Sequence, residues 1–459
     1  MSIINLASRG LGLSLALMIC SLGFAEEVDD YVETQRQWLH IPGLSLAVVE
    51  NGKIVKAQGY GLANVETDTR VTPETVFKIG SVSKQFLAAA ILLLAQDGKL
   101  GLDDSIGKYL EATPDSWKDI TIRHLLTHTS GLVREVPDFD PFKARPDADV
   151  LKAVALLPLR FTPGEKWEYS NVGYYALAEI IHRISGKPWA EFIADRLFVP
   201  AGMRASRTTT TADIVPRRAS GYSSIGHKLQ NAPDWIALRP SGAFLATVLD
   251  LVKWDAALSS DTILKRAFRE QMWTPVKLKS GTTHPYGFGW FLDTIQGHRR
   301  VRHGGGLPGF SSDFERFIDD YLTVIVLANA ENRDLRDLAL RVAGFYLPAL
   351  LSPVEKPMVD HDPQVTAQIK SVIEDFANSK LDTNRFIPQL ASGLSNELKA
   401  GFGDDLRRLG TIQSLDLVER NNEADNRVYR YRVNYERASL FVHCTFNKEH
   451  KITKFAISD

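Results

Sequence analysis

The sequence predicts a mixed α and β protein: an antiparallel sheet flanked by helices, a helical insertion between its strands, and a small C-terminal α+β domain. Three observations predict it. Strand runs lie on both sides of a stretch, about 101–260, that reads as short helices between Pro/Gly loops. One helix ahead of that stretch is apolar around its whole circumference. The order of elements then changes after Pro353, Pro357 and Pro363, which fall close together among mixed charges.

With 459 residues the chain is too long for one typical domain. Its 54 basic and 55 acidic residues nearly cancel, and no block of one sign points to nucleic acid. At the N-terminus Arg9 precedes the apolar run Leu11 to Phe24, followed by Ala25-Glu26-Glu27. A basic residue, a short apolar core and small residues in Gly23-Phe24-Ala25 read as a secretory leader over 1–25. The run is short for a membrane span, which needs about 20 residues. Once Cys20 leaves with the leader, Cys444 alone remains, which fits a periplasmic or extracellular protein without an internal disulfide.

The elements follow in order. Leu44 to Glu50 reads as a strand, Asn51-Gly52 as a two-residue hairpin turn and Lys53 to Tyr60 as the returning strand. The apolar helix is Gln85 to Asp97, opened at Ser81 and stopped by Gly98. Helices follow, among them Gly173 to Ser185 and Asp250 to Leu258. Late strands are expected at Phe288 to Phe291, Arg299 to His303, Phe310 to Ile318 and Leu322 to Ala328. This gives a domain over 26–350, a linker over 351–363 and a second domain over 364–459. In the latter, helices at Val365 to Ser379 and Ser395 to Leu409 precede four strands.

The chemistry begins at Ser81 and Lys84. Three residues is nearly one helical turn, so a hydroxyl nucleophile and an amine base share one face at a helix N-terminus. The spacing alone is weak, because Ser105 and Lys108 match it too. That second pair has Gly107 inside it and no buried helix after it. Two further segments bear on the first pair. Tyr169-Ser170-Asn171 offers a phenol able to relay protons and an amide able to orient a lysine or a substrate carbonyl. His303-Gly304-Gly305-Gly306, at the end of a strand, offers a backbone that a substrate can approach closely.

The order and spacing of these three segments resemble the serine penicillin-recognising enzymes: class C β-lactamases, DD-carboxypeptidases and related esterases and D-amino-acid peptidases. Ile122 to Leu132 and Asp250-Leu251-Val252-Lys253-Trp254 add to the resemblance, which covers roughly 30–345. It implies the β-lactamase/penicillin-binding fold and hydrolysis through an acyl-enzyme. It implies Ser81 as nucleophile, Lys84 as base, Tyr169 in the proton relay and Asn171 orienting Lys84 and substrate. The N–H groups of Ser81 and Gly306 would form the oxyanion hole, with His303 where many relatives place a lysine. No cofactor or metal is implied. Partners are small ester, amide or peptide substrates, with no nucleic acid and no membrane span after leader cleavage.

One departure bears on substrate. Relatives that bind a substrate carboxylate often carry Lys-Thr-Gly or His-Thr-Gly, whereas this chain has Gly304 in place of the threonine. That favours esterase or D-amino-acid/DD-peptidase-like activity over an efficient β-lactamase, although a protonated His303 would still attract a carboxylate. The alternative function is a catalytically weak penicillin-binding or scaffold protein recognising cell-wall or protein partners. His124 and His128 have helical metal-ligand spacing, but no glutamate follows His124 as in zinc proteases. The C-terminal order of elements resembles the cone-shaped domains similar to nuclear transport factor 2.

Overall fold

Asn51 and Gly52 both take positive φ, 51° and 74°, as a type I′ turn requires. The hairpin they close pairs β1 (Gly43–Glu50) with β2 (Lys53–Asn64), Glu50 opposite Lys53. In the computed structural model the described residues are 26–111, 113–136, 140, 145–210, 212–225, 228–234, 239–331, 333–351, 357–399, 402–423, 426–436 and 439–458. The leader expected over 1–25 lies outside them. The chain divides into two compact units, one of Ile41–Ser223 and Gln230–Leu350, the other of the described residues up to His40, Ser224–Leu229 and those from Leu351 on.

The first unit is built on a seven-stranded antiparallel sheet. It adds β3 (Thr69–Arg70), β4 (Phe291–Ile295), β5 (His298–Leu307), β6 (Phe310–Phe317) and β7 (Leu322–Ala328) in the order β4-β5-β6-β7-β1-β2-β3. The strands β1, β6 and β7 are buried on both faces, which explains the near-continuous apolar runs of β1 and β7; β6 instead buries Ser311, Ser312, Asp313, Glu315 and Arg316. The early and late parts of the chain thus meet where β1 pairs with β7, Leu46 opposite Val326.

Between β3 and β4 the chain is largely helical. Helix α1 (Lys84–Gln96) is buried from Lys84 to Leu94 and ends just before Gly98, at φ 70°. Phe86 packs on Trp254 of α3 (Val248–Leu258) with ring centroids 4.9 Å apart. Gln85 accepts a hydrogen bond from the Trp254 indole at 3.0 Å. Helix α2 (Val172–Ser185) closes with Gly186 in the left-handed region at φ 71°, the usual helix C-cap.

Two expectations shift. Ser81 lies not in α1 but in a 3-10 turn, Gly80–Ser83, directly ahead of it. The strand expected from Phe288 starts only at Phe291, because Gly289 turns at φ 78°. A Cβ on Gly289 would stand 3.0 Å from the Lys84 carbonyl oxygen, so this segment is a close backbone approach to the first turn of α1.

In the second unit three helices, α4 (Pro363–Ala377), α5 (Pro388–Lys399) and α6 (Phe402–Arg408), precede a four-stranded antiparallel meander. The meander is β8 (Ile412–Glu423), β9 (Asn426–Tyr435), β10 (Ser439–Phe446) and β11 (Ile452–Ser458). Tyr429, Tyr431, Val433 and Tyr435 alternate inward from β9 onto Ile369, Ile373 and Phe376, the period-2 pattern of a half-buried strand. Residues 26–38 are helical, and Trp38 packs against this same core.

Candidate active site

Three backbone features bring the site together. Strand β4 ends opposite Arg302 with Phe291, so from His303 onward β5 is paired on one side only, by β6. The edge left open lies against Ile79 and Gly80. A Cβ on Gly305 would stand 2.0 Å from the Ile79 carbonyl oxygen, and one on Gly80 would stand 2.7 Å from the Gly306 nitrogen. Gly80 also takes φ 52°. Glycine at both positions is therefore what lets strand and nucleophile turn touch. Asn171 immediately precedes α2, whose N-terminus approaches the same point.

Lys84 is fully buried. Its Nζ lies 3.1 Å from Ser81 Oγ, 2.8 Å from Asn171 Oδ1 and 2.9 Å from the carbonyl oxygen of Ser241. The Asn171 amide is oriented by Glu135, which accepts from Nδ2 at 2.5 Å and leaves Oδ1 for the lysine. Glu135 is itself paired with Arg239. Burial pushes the Lys84 pKa well below its ordinary value, aided by the positive charges of Arg239 and Arg134 and opposed by Glu135. In its deprotonated form the amine has two N–H donors and a lone pair. The Asn171 and Ser241 oxygens can only accept, so both N–H groups are committed to them. Protonated, Nζ donates to Ser81 Oγ; deprotonated, its lone pair is the group left facing Ser81, and the hydroxyl donates to it.

Tyr169 stands over the same lysine, with Nζ 4.7 Å from its ring centroid. The His128 ring lies 4.3 Å and the Arg134 guanidinium 5.3 Å from it, with His303 and Trp167 farther off. Burial holds its phenol well above the ordinary tyrosine range, while a hydrogen bond with Ser81 and the charge of Arg134 pull it down. The group facing Ser81 is thus a neutral phenol at physiological pH. Ser81, Tyr169, Asn171 and His303 to Gly306 line one cavity of about 1180 Å³, larger than most small-molecule sites, which run to about 1,000 Å³.

The arrangement can run acyl transfer. The family model for Beta-lactamase matches residues 28–345. The chain belongs to that family. It is a serine hydrolase of the β-lactamase/penicillin-binding kind. Penicillin-binding protein 4* of Bacillus subtilis (strain 168) is 33% identical over 313 residues, covering 62% of this chain and 68% of that protein. Protein flp of Staphylococcus aureus (strain MW2) is 27% identical over 351 residues, covering 73% and 67%. The fold matches the octameric penicillin-binding protein homologue from Pyrococcus abyssi at TM-score 0.66 and 22% identity, covering 94% of this chain and 95% of that one. It also matches the D-amino acid amidase from Ochrobactrum anthropi SV3 at TM-score 0.61 and 22% identity, covering 71% and 99%.

Within this β-lactamase-family site one expectation needs correction. His303 is buried, and its pKa falls to about 3, chiefly from desolvation and then from the charge of Lys84. It is a neutral imidazole at physiological pH and attracts no carboxylate by charge. The second Ser-x-x-Lys match is a local cap. Ser105 Oγ accepts from Gly107 N and donates to the Lys118 carbonyl, while exposed Lys108 pairs with Asp104 at 2.9 Å. Sequence reasoning missed Glu135, Arg239 and Tyr286. Each comes from an irregular segment with no periodic or motif signal. His128, noted in the sequence for its spacing from His124, instead contacts Tyr169, Tyr286 and the Ser170 backbone.

Proposed function

We propose that this protein is an exported serine hydrolase that cleaves small ester or amide substrates through a Ser81 acyl-enzyme. The observation that carries this reading is the hydrogen-bond pattern at Lys84: two acceptors that cannot donate leave its lone pair for the Ser81 hydroxyl. In the proposed reaction Ser81 Oγ attacks the substrate carbonyl carbon and its proton passes to Lys84 Nζ. The oxyanion is met by the N–H groups of Ser81 and Gly306, at the N-terminal end of α1. Tyr169, a neutral phenol in the relay, hands a proton to the leaving alcohol or amine and regains one from Lys84. Water then hydrolyses the acyl-enzyme by the same groups in reverse.

The substrate reading rests on Gly304. A Cβ there would stand 3.3 Å from Asp313 Oδ2, so the position that holds a threonine hydroxyl in many relatives here adjoins a carboxylate. That disfavours a substrate carboxylate at this point and supports esters or D-amino-acid amides over β-lactams. The neighbour described as a D-amino acid amidase is in keeping with this. Export is supported by the leader-like run before Ala25. Intact mass of the mature protein should place its N-terminus there.

A parallel hydrolysis screen tests the reading, with nitrocefin, short-chain p-nitrophenyl esters, D-Ala-D-Ala peptides and D-amino-acid amides, and Ser81→Ala as blank. Esters or amides should turn over fastest. Nitrocefin turning over fastest would overturn the substrate reading. Failure of a fluorophosphonate and of fluorescent penicillin to add mass at Ser81 would overturn the mechanism.

A further inference from the structure

Behind Tyr169 lie three buried polar rings that the proposed chemistry does not use. His128 is 1% exposed, Tyr286 0% and His303 2%. The Ser170 backbone N–H meets His128 Nδ1 at 3.1 Å, and His128 Nε2 meets the Tyr286 hydroxyl at 3.1 Å. That hydroxyl meets His303 Nε2 at 3.2 Å, and His303 Nδ1 meets the Gly304 carbonyl oxygen at 2.7 Å.

The two ends fix the direction of every bond. An amide N–H only donates, so His128 Nδ1 carries no proton and its Nε2 does. A carbonyl oxygen only accepts, so His303 Nδ1 carries the proton and its Nε2 does not. Within this hydrogen-bond chain Tyr286 therefore accepts from His128 and donates to His303; its hydroxyl also neighbours that of Tyr174, which donates to the Leu126 carbonyl oxygen. Burial keeps both imidazoles neutral, with Lys84 adding to that effect on each, Arg134 on His128 and Arg302 on His303. His128 also holds φ 59°, an uncommon backbone conformation for a non-glycine residue.

We propose that His128, Tyr286 and His303 form a neutral, one-directional hydrogen-bond strut that sets the distance between the Tyr169-Ser170-Asn171 loop and the Gly304–Gly306 strand. It does not conduct protons, because both ends are backbone groups with nothing to exchange. His128 and Tyr286 are positioning residues. They act through Ser170, which lies between Tyr169 and Asn171, and through Gly304, two residues before the oxyanion N–H of Gly306. The inference rests on the acyl-enzyme reading for its kinetic consequence but not for its structural one.

Two measurements on the mature chain test it. Long-range 1H–15N correlation on 15N-histidine-labelled protein at neutral pH, assigned with His128→Asn and His303→Gln, reads the tautomers directly and needs no activity. His128 should be the Nε2–H form and His303 the Nδ1–H form. The same tautomer in both rings, or an imidazolium in either, overturns the strut. Hydrolysis of p-nitrophenyl acetate by Tyr286→Phe should lose about 10²-fold in kcat, the cost of an ångström-scale misplacement, with KM within about twofold. His303→Gln keeps an acceptor for Tyr286 and should lose less than Tyr286→Phe. This variant carries the kinetic test if Tyr286→Phe does not fold. An unchanged kcat in the folded Tyr286→Phe protein, or a larger loss in His303→Gln, overturns the positioning role.

Discussion

Lys84 is useful to Ser81 only while it is unprotonated, and an exposed lysine, with a pKa of about 10.4, is not. The protein depresses that value by withdrawing the amine from water and placing Arg239 and Arg134 near it. The sign follows from these causes. Activity should vanish as pH falls through the depressed Lys84 value, since protonation removes the lone pair that faces Ser81. Lys84→Ala should then slow acylation by a fluorescent penicillin by about 10²- to 10⁴-fold, the usual contribution of a positioned base, and barely change binding before acylation. Stopped-flow labelling separates the two. An equal loss in both would argue against a base at this position. Glu135→Gln is the milder change. It keeps an acceptor for Asn171 Nδ2 but removes the negative charge that opposes Lys84 deprotonation. The acid limb of the activity profile should therefore move to lower pH, and a shift to higher pH in a rate–pH titration would refute that assignment.

At the scale of elements, the site depends on how closely the open edge of β5 lies against the nucleophile turn. Gly305 and Gly306 make the argument testable, because they are adjacent and differ sharply in surroundings. A Cβ on Gly305 would overlap the Ile79 carbonyl at 2.0 Å, whereas one on Gly306 meets nothing within 4 Å. Gly305→Ala should lower stability by about 1–3 kcal/mol, as overpacking does, and abolish acylation by pushing the strand away. Gly306→Ala should stay close to wild type in urea unfolding, and similar losses in both variants would remove the packing argument. These contacts also show what the sequence could convey. Ser81, Lys84, Tyr169, Asn171 and the His303 to Gly306 run are compact motifs on predictable elements; the structure places all but Lys84 around one cavity, with Lys84 buried against Ser81. Asn51-Gly52 and Gly98 likewise carry local backbone signals that any environment would preserve. Glu135, Arg239, His128 and Tyr286 act through partners 17 to 158 positions away. Nothing in their local pattern marks them, because their roles exist only once the chain has folded.

For the whole molecule, the partition into two units was only partly legible. The proline cluster near 353–363 marks a change of element order; the two units divide at Leu350 and Leu351. The grouping of residues 26–38 with the C-terminal core is a tertiary choice with no local signal. Stability against pH is the property in which the first unit's buried groups act together. His303, with a folded pKa of about 3 against 6.5 in the unfolded chain, takes up its proton first when unfolded. Its contribution to stability is therefore present above about pH 6.5 and lost as pH falls toward 3. His128 acts in the same direction. Asp313 and Glu315 oppose them. Burial pushes both carboxyls up, and the charge of Asp313 raises Glu315 further, so they relieve a cost as pH falls. The net curve mixes these groups, but a difference between two proteins does not. The stability advantage of wild type over His303→Gln should shrink below pH 6.5 by about 1.4 kcal/mol per pH unit, the slope for one proton. Urea unfolding followed through the buried Trp117, Trp254 and Trp290 reports the first unit. A gap that stays constant or widens down to pH 4 would mean that His303 is protonated in the fold, and the neutral imidazole at the centre of this site would have to be abandoned.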